Sequence, residues 1–207
     1  MAKRFYLYPV WIRSWHLINA ILFIILILTG LSMHYASMDN RYFFFTFESA
    51  VAWHNVAAFI LTASYVFYVL GNIVTGNGKY YRIKRKKFMQ KLVKQSVYYG
   101  YGMFKGEEHP FPVSERRKFN PLQKLSYVLA MYVGLPVLII SGFGLLFPEI
   151  LVGQFFGISG LAYTSVLHAT MGFILFIFMV IHIYTCTLGD KPSTLFKSMI
   201  DGYHEEH

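Results

Sequence analysis

His168 and His182 stand at the two ends of one apolar run, Leu167-His-Ala-Thr-Met-Gly-Phe-Ile-Leu-Phe-Ile-Phe-Met-Val-Ile-His182. A polar ring is costly in lipid, and one found there usually faces a bundle interior and has a function. On a helix, fourteen residues at about 100° each return to within about 40° of the same face, about 21 Å apart along the axis. Neutral imidazole is a common metal ligand, so this spacing suits two metal centres stacked across a bilayer. Two further histidines, His16 and His54, stand near the ends of other apolar runs, each directly after a tryptophan.

The elements that must position these rings follow from composition. The 207 residues are 56% hydrophobic, 19% aromatic and only 14% charged, against about 25% charged in ordinary soluble domains. A hydrocarbon core of about 30 Å takes about 20 helical residues to cross. Four runs are long enough, at about 14–35, 50–74, 122–147 and 162–188, and they predict a single all-α membrane domain over 1–207. The formal charge of +9 does not indicate nucleic acid, because the cations are placed asymmetrically. Of 19 Lys and Arg, three precede the first run, thirteen lie from Lys79 to Lys124, two follow the fourth run, and only Arg41 lies on the other side. By the positive-inside rule both termini and the middle loop are cytoplasmic. Cys186 is the single cysteine, which excludes a disulfide, a Cys-x-x-Cys-His haem attachment and an iron–sulfur ligand set. Lys3 and Arg4 before a long apolar stretch with no small-residue cleavage site read as the start of a retained helix.

The first 13 residues mix cations with Phe5, Tyr6, Tyr8 and Trp11, as expected at a lipid interface. An aromatic outer loop (Tyr42, Phe43, Phe44, Phe45, Phe47) precedes the second helix, which ends at Gly71-Asn72 and Gly76-Asn77-Gly78. In the 79–121 loop, Phe88, Leu92, Gln95, Tyr99 and Met103 recur at helical spacing among lysines. That pattern fits an amphipathic helix on the inner leaflet or a solvated extension of the second helix. The third helix is interrupted by Gly134, Pro136, Gly142 and Gly144, which permit close approach of either a neighbouring helix or a flat ring. The fourth ends at Asp190-Lys191-Pro192-Ser193, and Thr194 to His207 reads as a short tail with a helical turn or two.

With alternating helix directions the histidines sort by depth. His16 and His182 lie on the cytoplasmic side, His54 and His168 on the outer side. A b-type haem takes two axial imidazoles and an apolar slot, both of which a bundle interior supplies. The predicted fold is therefore a four-helix bundle enclosing two b-type haems, with the fourth helix as shared wall. Taken singly, Trp15-His16 and Trp53-His54 would read as interfacial anchors; pairing by depth under a topology drawn from Lys and Arg favours ligation. His34 lies about 27 Å beyond His16 along the first helix, overshooting the outer level by about a turn, and is left out of the ligand set. His109, His204 and His207 fall in polar segments and read as solvated.

Arg13-Ser-Trp-His16 through Thr29-Gly30-Leu31, His54, Lys118-Phe-Asn-Pro-Leu-Gln-Lys124 with Tyr127, Ser141-Gly142, His168 to His182-Ile-Tyr184 and Ser198-Met-Ile-Asp-Gly202 resemble the four-helix di-haem cytochrome b subunits. These are the membrane subunits of respiratory formate dehydrogenase, nickel–iron hydrogenase and thiosulfate-reductase-type complexes. The resemblance covers nearly the whole chain, though nothing in it matches Lys84 to Lys105. It implies that His16 and His182 ligate the iron of the cytoplasmic-side haem and His54 and His168 that of the outer-side haem. It also implies a quinone, menaquinone or ubiquinone, beside the cytoplasmic-side haem near Asn120 and Gln123. The same Asn120 reads equally as a helix N-cap ahead of Pro121.

The function this predicts is electron transfer between an extracytoplasmic partner and the quinone pool of a bacterial or archaeal cytoplasmic membrane. The resemblance implies an iron–sulfur or multihaem subunit and a catalytic subunit as partners, with substrate chemistry held there; no catalytic residues are expected in this chain. A histidine-based proton pathway or transporter is the alternative from another class, but it needs acidic partners within the helices, and Glu48 and Glu149 lie at the outer edge. A haem-free membrane anchor is the third.

Overall fold

The computed structural model describes the chain except residues 1–2, 37–42, 85, 115–116, 151–152, 190 and 207. Arg41, Tyr42, Arg85, Arg116, Asp190 and His207 lie outside the described residues. Helix α1 spans Val10–His34 and α2 Phe47–Val74. A shorter α3, Phe88–Gly100, occupies the basic loop. The third span, Pro121–Leu146, consists of α4 (Pro121–Leu129), a wide turn at Ala130–Gly134 and α5 (Leu135–Leu146). Helix α6 is Gly160–Cys186 and α7 is Thr194–Asp201. Four of these elements are long and apolar enough to cross a membrane. The wide turn has a local cause: Pro136 has no N–H to give and its ring would strike the carbonyl of Tyr132, so the helix opens there.

Burial along α1 is inverted relative to a water-soluble helix. Asn19, Thr29 and Ser32 are buried, whereas Leu17, Ile18, Ile21 and Ile24 are about half exposed. Lipid solvates the alkyl groups and leaves the polar side chains to find partners inside.

The chain divides into two compact units, one of Trp11–Gly71 with Gly134–Ile177, the other of Met1–Val10, Asn72–Val133 and Phe178–His207. In the first, Trp15 stacks on Tyr68 with ring centres 4.1 Å apart. Its indole N–H donates to the Ser64 carbonyl (3.1 Å), and the Asn19 amide donates to the Ser64 hydroxyl (2.8 Å). These contacts join α1 to α2 through hydrogen bonds of the interhelical kind, worth roughly 0.6–2 kcal/mol each in a membrane.

In the second unit the two ends of the chain meet. Strand β1 (Lys3–Tyr6) pairs antiparallel with β4 (Tyr203–Glu206), Phe5 opposite His204. Two short strands of the first unit's loop between α5 and α6, β2 (Gln154–Phe155) and β3 (Ile158–Ser159), form a separate hairpin. In β1 and just beyond it, Phe5 and Leu7 point inward while Arg4 and Tyr6 are exposed, the alternation of a half-buried strand. Phe5 and Tyr6 thus belong to a two-stranded sheet, a strand that the sequence reading does not anticipate, while Trp11 falls in α1.

Helix α3 is separated from α2 by the turn at Gly76 and packs against α4. It is therefore its own helix and no extension of α2. Leu92 and Gln95, the middle of the expected lipid-facing stripe, are turned inward and buried. A neighbouring stripe carries the exposed apolar residues, Met89 at 69%, Val93 at 59% and Val97 at 57%.

Candidate functional site

His54 and His168 come together. Their ring centres are 6.2 Å apart, edge-on, with planes inclined at 68°. Each is held from one side by a neighbouring helix. His54 Nδ1 lies 2.9 Å from the Thr29 hydroxyl on α1, and His168 Nδ1 lies 3.0 Å from the Ser141 hydroxyl on α5. A glycine follows each hydroxyl residue. A Cβ added at Gly30 would stand 3.7 Å from His54 Cε1, and one at Gly142 3.2 Å from His168 Cε1. The sequence signal for these hydroxyls is their depth. Thr29 is thirteen residues beyond His16, about 20 Å, which is the level of the outer pair.

His182 belongs to the other unit. It stacks on Phe178 (5.9 Å, 12°) and meets Tyr127 edge-on, with Tyr127 Oη 3.3 Å from His182 Nδ1. Tyr127 and Ser141 are fourteen residues apart on the third span, as are His182 and His168 on α6. His16 is half-buried on α1 beside Trp15, in the unit that holds His54 and His168. His34 is exposed at the end of α1 and packs edge-on against Tyr35 (4.9 Å). His109 sits against the Tyr98 ring (5.0 Å), with burial and then the Arg117 charge lowering its pKa.

Asn120 and Gln123 form a reciprocal cap at the start of α4. The Asn120 side chain accepts from the Gln123 N–H (2.9 Å), and the Gln123 side chain accepts from the Asn120 N–H (3.2 Å). The Asn120 amide then donates to the Tyr99 hydroxyl (2.9 Å). Pro121 takes the first helical position, so sequence and geometry agree on the local reason for this helix start. Close by in sequence, Lys118 is 7% exposed. Its ammonium donates to Asn77 Oδ1 (2.9 Å) and lies 4.4 Å from the centre of the Tyr80 ring and 5.7 Å from that of Tyr8. Burial, and then repulsion from Lys79, push its pKa down to about 8.

The description "Prokaryotic cytochrome b561" matches residues 7–202. The chain is also 41% identical over 204 residues to the Escherichia coli (strain K12) protein named "Putative cytochrome YdhU", an alignment covering 98% of this chain and 76% of that one. A cytochrome b implies b-type haem, and the His54/His168 pair fits one. Two imidazoles that held one metal between them at about 2.0–2.1 Å each would have their ring centres roughly 6 Å apart. The observed separation is 6.2 Å, and hydroxyls occupy Nδ1 on both rings, leaving Nε2 of each for a metal. Bound there, haem supplies one-electron redox chemistry. The family match over nearly the whole chain, with 41% identity to a cytochrome along almost all of it, makes this protein a member of the prokaryotic cytochrome b561 family, haem-binding helical bundles of the membrane whose work is electron transfer.

Proposed function

We propose that this protein is the di-haem cytochrome b subunit of a respiratory membrane complex, carrying electrons between an extracytoplasmic partner and the quinone pool. The observation that carries the reading is the His54/His168 pair, with ring centres at the spacing of two ligands on one iron. His16 and His182 are the second pair. This assignment rests on their common depth under the charge topology and on the family resemblance. The chain's own contribution would be to hold four imidazoles, exclude water around them and accept the imidazole N–H bonds that tune the iron.

Quinone would bind at the start of α4, near the His16/His182 level. Asn120 gives one amide N–H to Tyr99 and its oxygen to the cap, whereas the cap uses only the oxygen of Gln123. Gln123 Nε2 and the second Asn120 N–H would be the donors for a quinone carbonyl. The partner would be an iron–sulfur or multihaem subunit on the outer surface, joined to a catalytic subunit, with both termini of this chain cytoplasmic.

A pyridine-haemochrome assay on the purified chain should find two b haems per polypeptide, and one or none sinks the two-centre reading. His168→Ala should remove the outer-level haem and spare the other. Loss of the His16/His182 centre alone would contradict the pairing.

A further inference from the structure

Thr29 and Ser141 each have a second hydrogen bond that determines the protonation of the histidine beside them. The Thr29 hydroxyl lies 2.7 Å from the Ile25 carbonyl and 3.2 Å from that of Leu26. The Ser141 hydroxyl lies 2.7 Å from the Val137 carbonyl and 3.1 Å from that of Leu138. A hydroxyl has one proton, and a carbonyl can only accept. The proton therefore goes back to the helix backbone, and the hydroxyl faces Nδ1 with a lone pair. Nδ1 of His54 and of His168 then supplies the N–H, for which the backbone carbonyls of Leu26 and Leu138 are further acceptors. The opposite tautomer would set lone pair against lone pair, or force the hydroxyl to abandon its carbonyl at a cost of about 0.5–1.5 kcal/mol. Nε2 on both rings is left bare.

The paired glycines complete the arrangement. Gly30 and Gly142 face Cε1, the ring atom between the two nitrogens, and leave room for it where a methyl would stand 3.7 and 3.2 Å away. One helix face thus supplies an acceptor for Nδ1 and clearance for Cε1, and it does so twice, on α1 and on α5.

We infer that Thr29-Gly30 and Ser141-Gly142 are a matched pair of ring cradles that hold His54 and His168 as Nδ1–H imidazoles, with Nε2 left to hold an iron. This rests on the reading of those two histidines as ligands of one haem. Thr29 and Ser141 are positioning residues: they act through the rings. A hydroxyl that already donates elsewhere is a modest acceptor, so each ring keeps some basicity from its N–H bond and would lose it with the hydroxyl. The inner level is different. There a tyrosine hydroxyl, that of Tyr127, meets Nδ1 of His182 at 3.3 Å.

The test uses the full-length protein with its haems, as Thr29→Val and Ser141→Ala and as the hydroxyl-keeping Thr29→Ser and Ser141→Thr. Three properties are read: the midpoint potential of each haem, the low-spin ferric EPR signal, which reports the angle between axial imidazole planes, and the rate of haem transfer to apomyoglobin. In Thr29→Val and in Ser141→Ala the outer-level haem should rise in potential, change its EPR signal and leave about 10–100-fold faster. The other haem should be unchanged, and the hydroxyl-keeping swaps should restore parental values. Parental potential, EPR and loss rate in both Thr29→Val and Ser141→Ala overturn the inference, as does a change confined to the other haem. His54→Ala separates the two levels of argument. If it loses the outer-level haem while the hydroxyl variants behave as parent, only the cradle fails. If it keeps that haem intact, the ligand reading fails and the cradle with it.

Discussion

Gly142→Ala and Gly30→Ala make the same chemical change on equivalent sides of two facing histidines and should have opposite effects. Both positions are helical, and alanine gains about 0.5–1 kcal/mol over glycine in a helix interior. At Gly30 the new methyl meets His54 Cε1 at 3.7 Å, an ordinary contact, so the helix term dominates and the variant should be at least as stable as the parent. At Gly142 the methyl would stand 3.2 Å from His168 Cε1 and 3.7 Å from Nδ1, inside the carbon–carbon optimum of about 3.5–4.0 Å. The ring must move by a few tenths of an ångström, and it is held at 3.0 Å by Ser141 next door. Overpacking of this kind costs about 1–3 kcal/mol, which exceeds the helix gain and leaves a net loss of up to about 2 kcal/mol. The assay is thermal loss of the haem absorbance in a fixed detergent. At about 2–4 °C per kcal/mol for a chain of this size, Gly142→Ala should fall several degrees below Gly30→Ala. A Gly142→Ala protein as stable as the parent, or a Gly30→Ala protein that falls further, would refute the close-approach reasoning.

Two other outcomes can be checked. Lys118, labelled by reductive methylation with carbon-13 and followed by NMR, should titrate near 8 while solvated lysines titrate near 10.4. Because the folded state releases this proton first, the unfolded chain binds more protons between about 8 and 10.4, and the group adds stability as pH rises through that window. A Lys118 midpoint above 10 would contradict its burial against Asn77 and Tyr80. On α3, a tryptophan at Val93 should be quenched by brominated lipid and one at Lys91, about 160° away around the helix, should not. Equal quenching would show that the exposed Met89–Val93–Val97 stripe does not lie against the bilayer.

What was legible in the sequence is what short-range physics decides. Uninterrupted apolar runs place the four spans to within a few residues, because the lipid sets a minimum length and tolerates no unpaired backbone within it. Asn120-Pro121 announces a helix start, since cap and first turn are adjacent in the chain. His168 and His182 share a face through helix geometry alone. The rest required residues distant in sequence to meet. Strand β1 is four residues long and acquires its identity from Tyr203–Glu206 at the other end of the chain. The α3 stripe is apolar on two adjoining faces, and only packing against α4 decides that Leu92 and Gln95 turn inward while Val93 stays out. Most consequential for function, Thr29 and Ser141 look in sequence like small helix residues. Their role depends on a histidine twenty-five or more positions away and on a carbonyl one turn back taking the hydroxyl proton. The histidines could be found by type and spacing, but the tautomer proposed for them depends on hydrogen bonds that exist only once the helices are side by side.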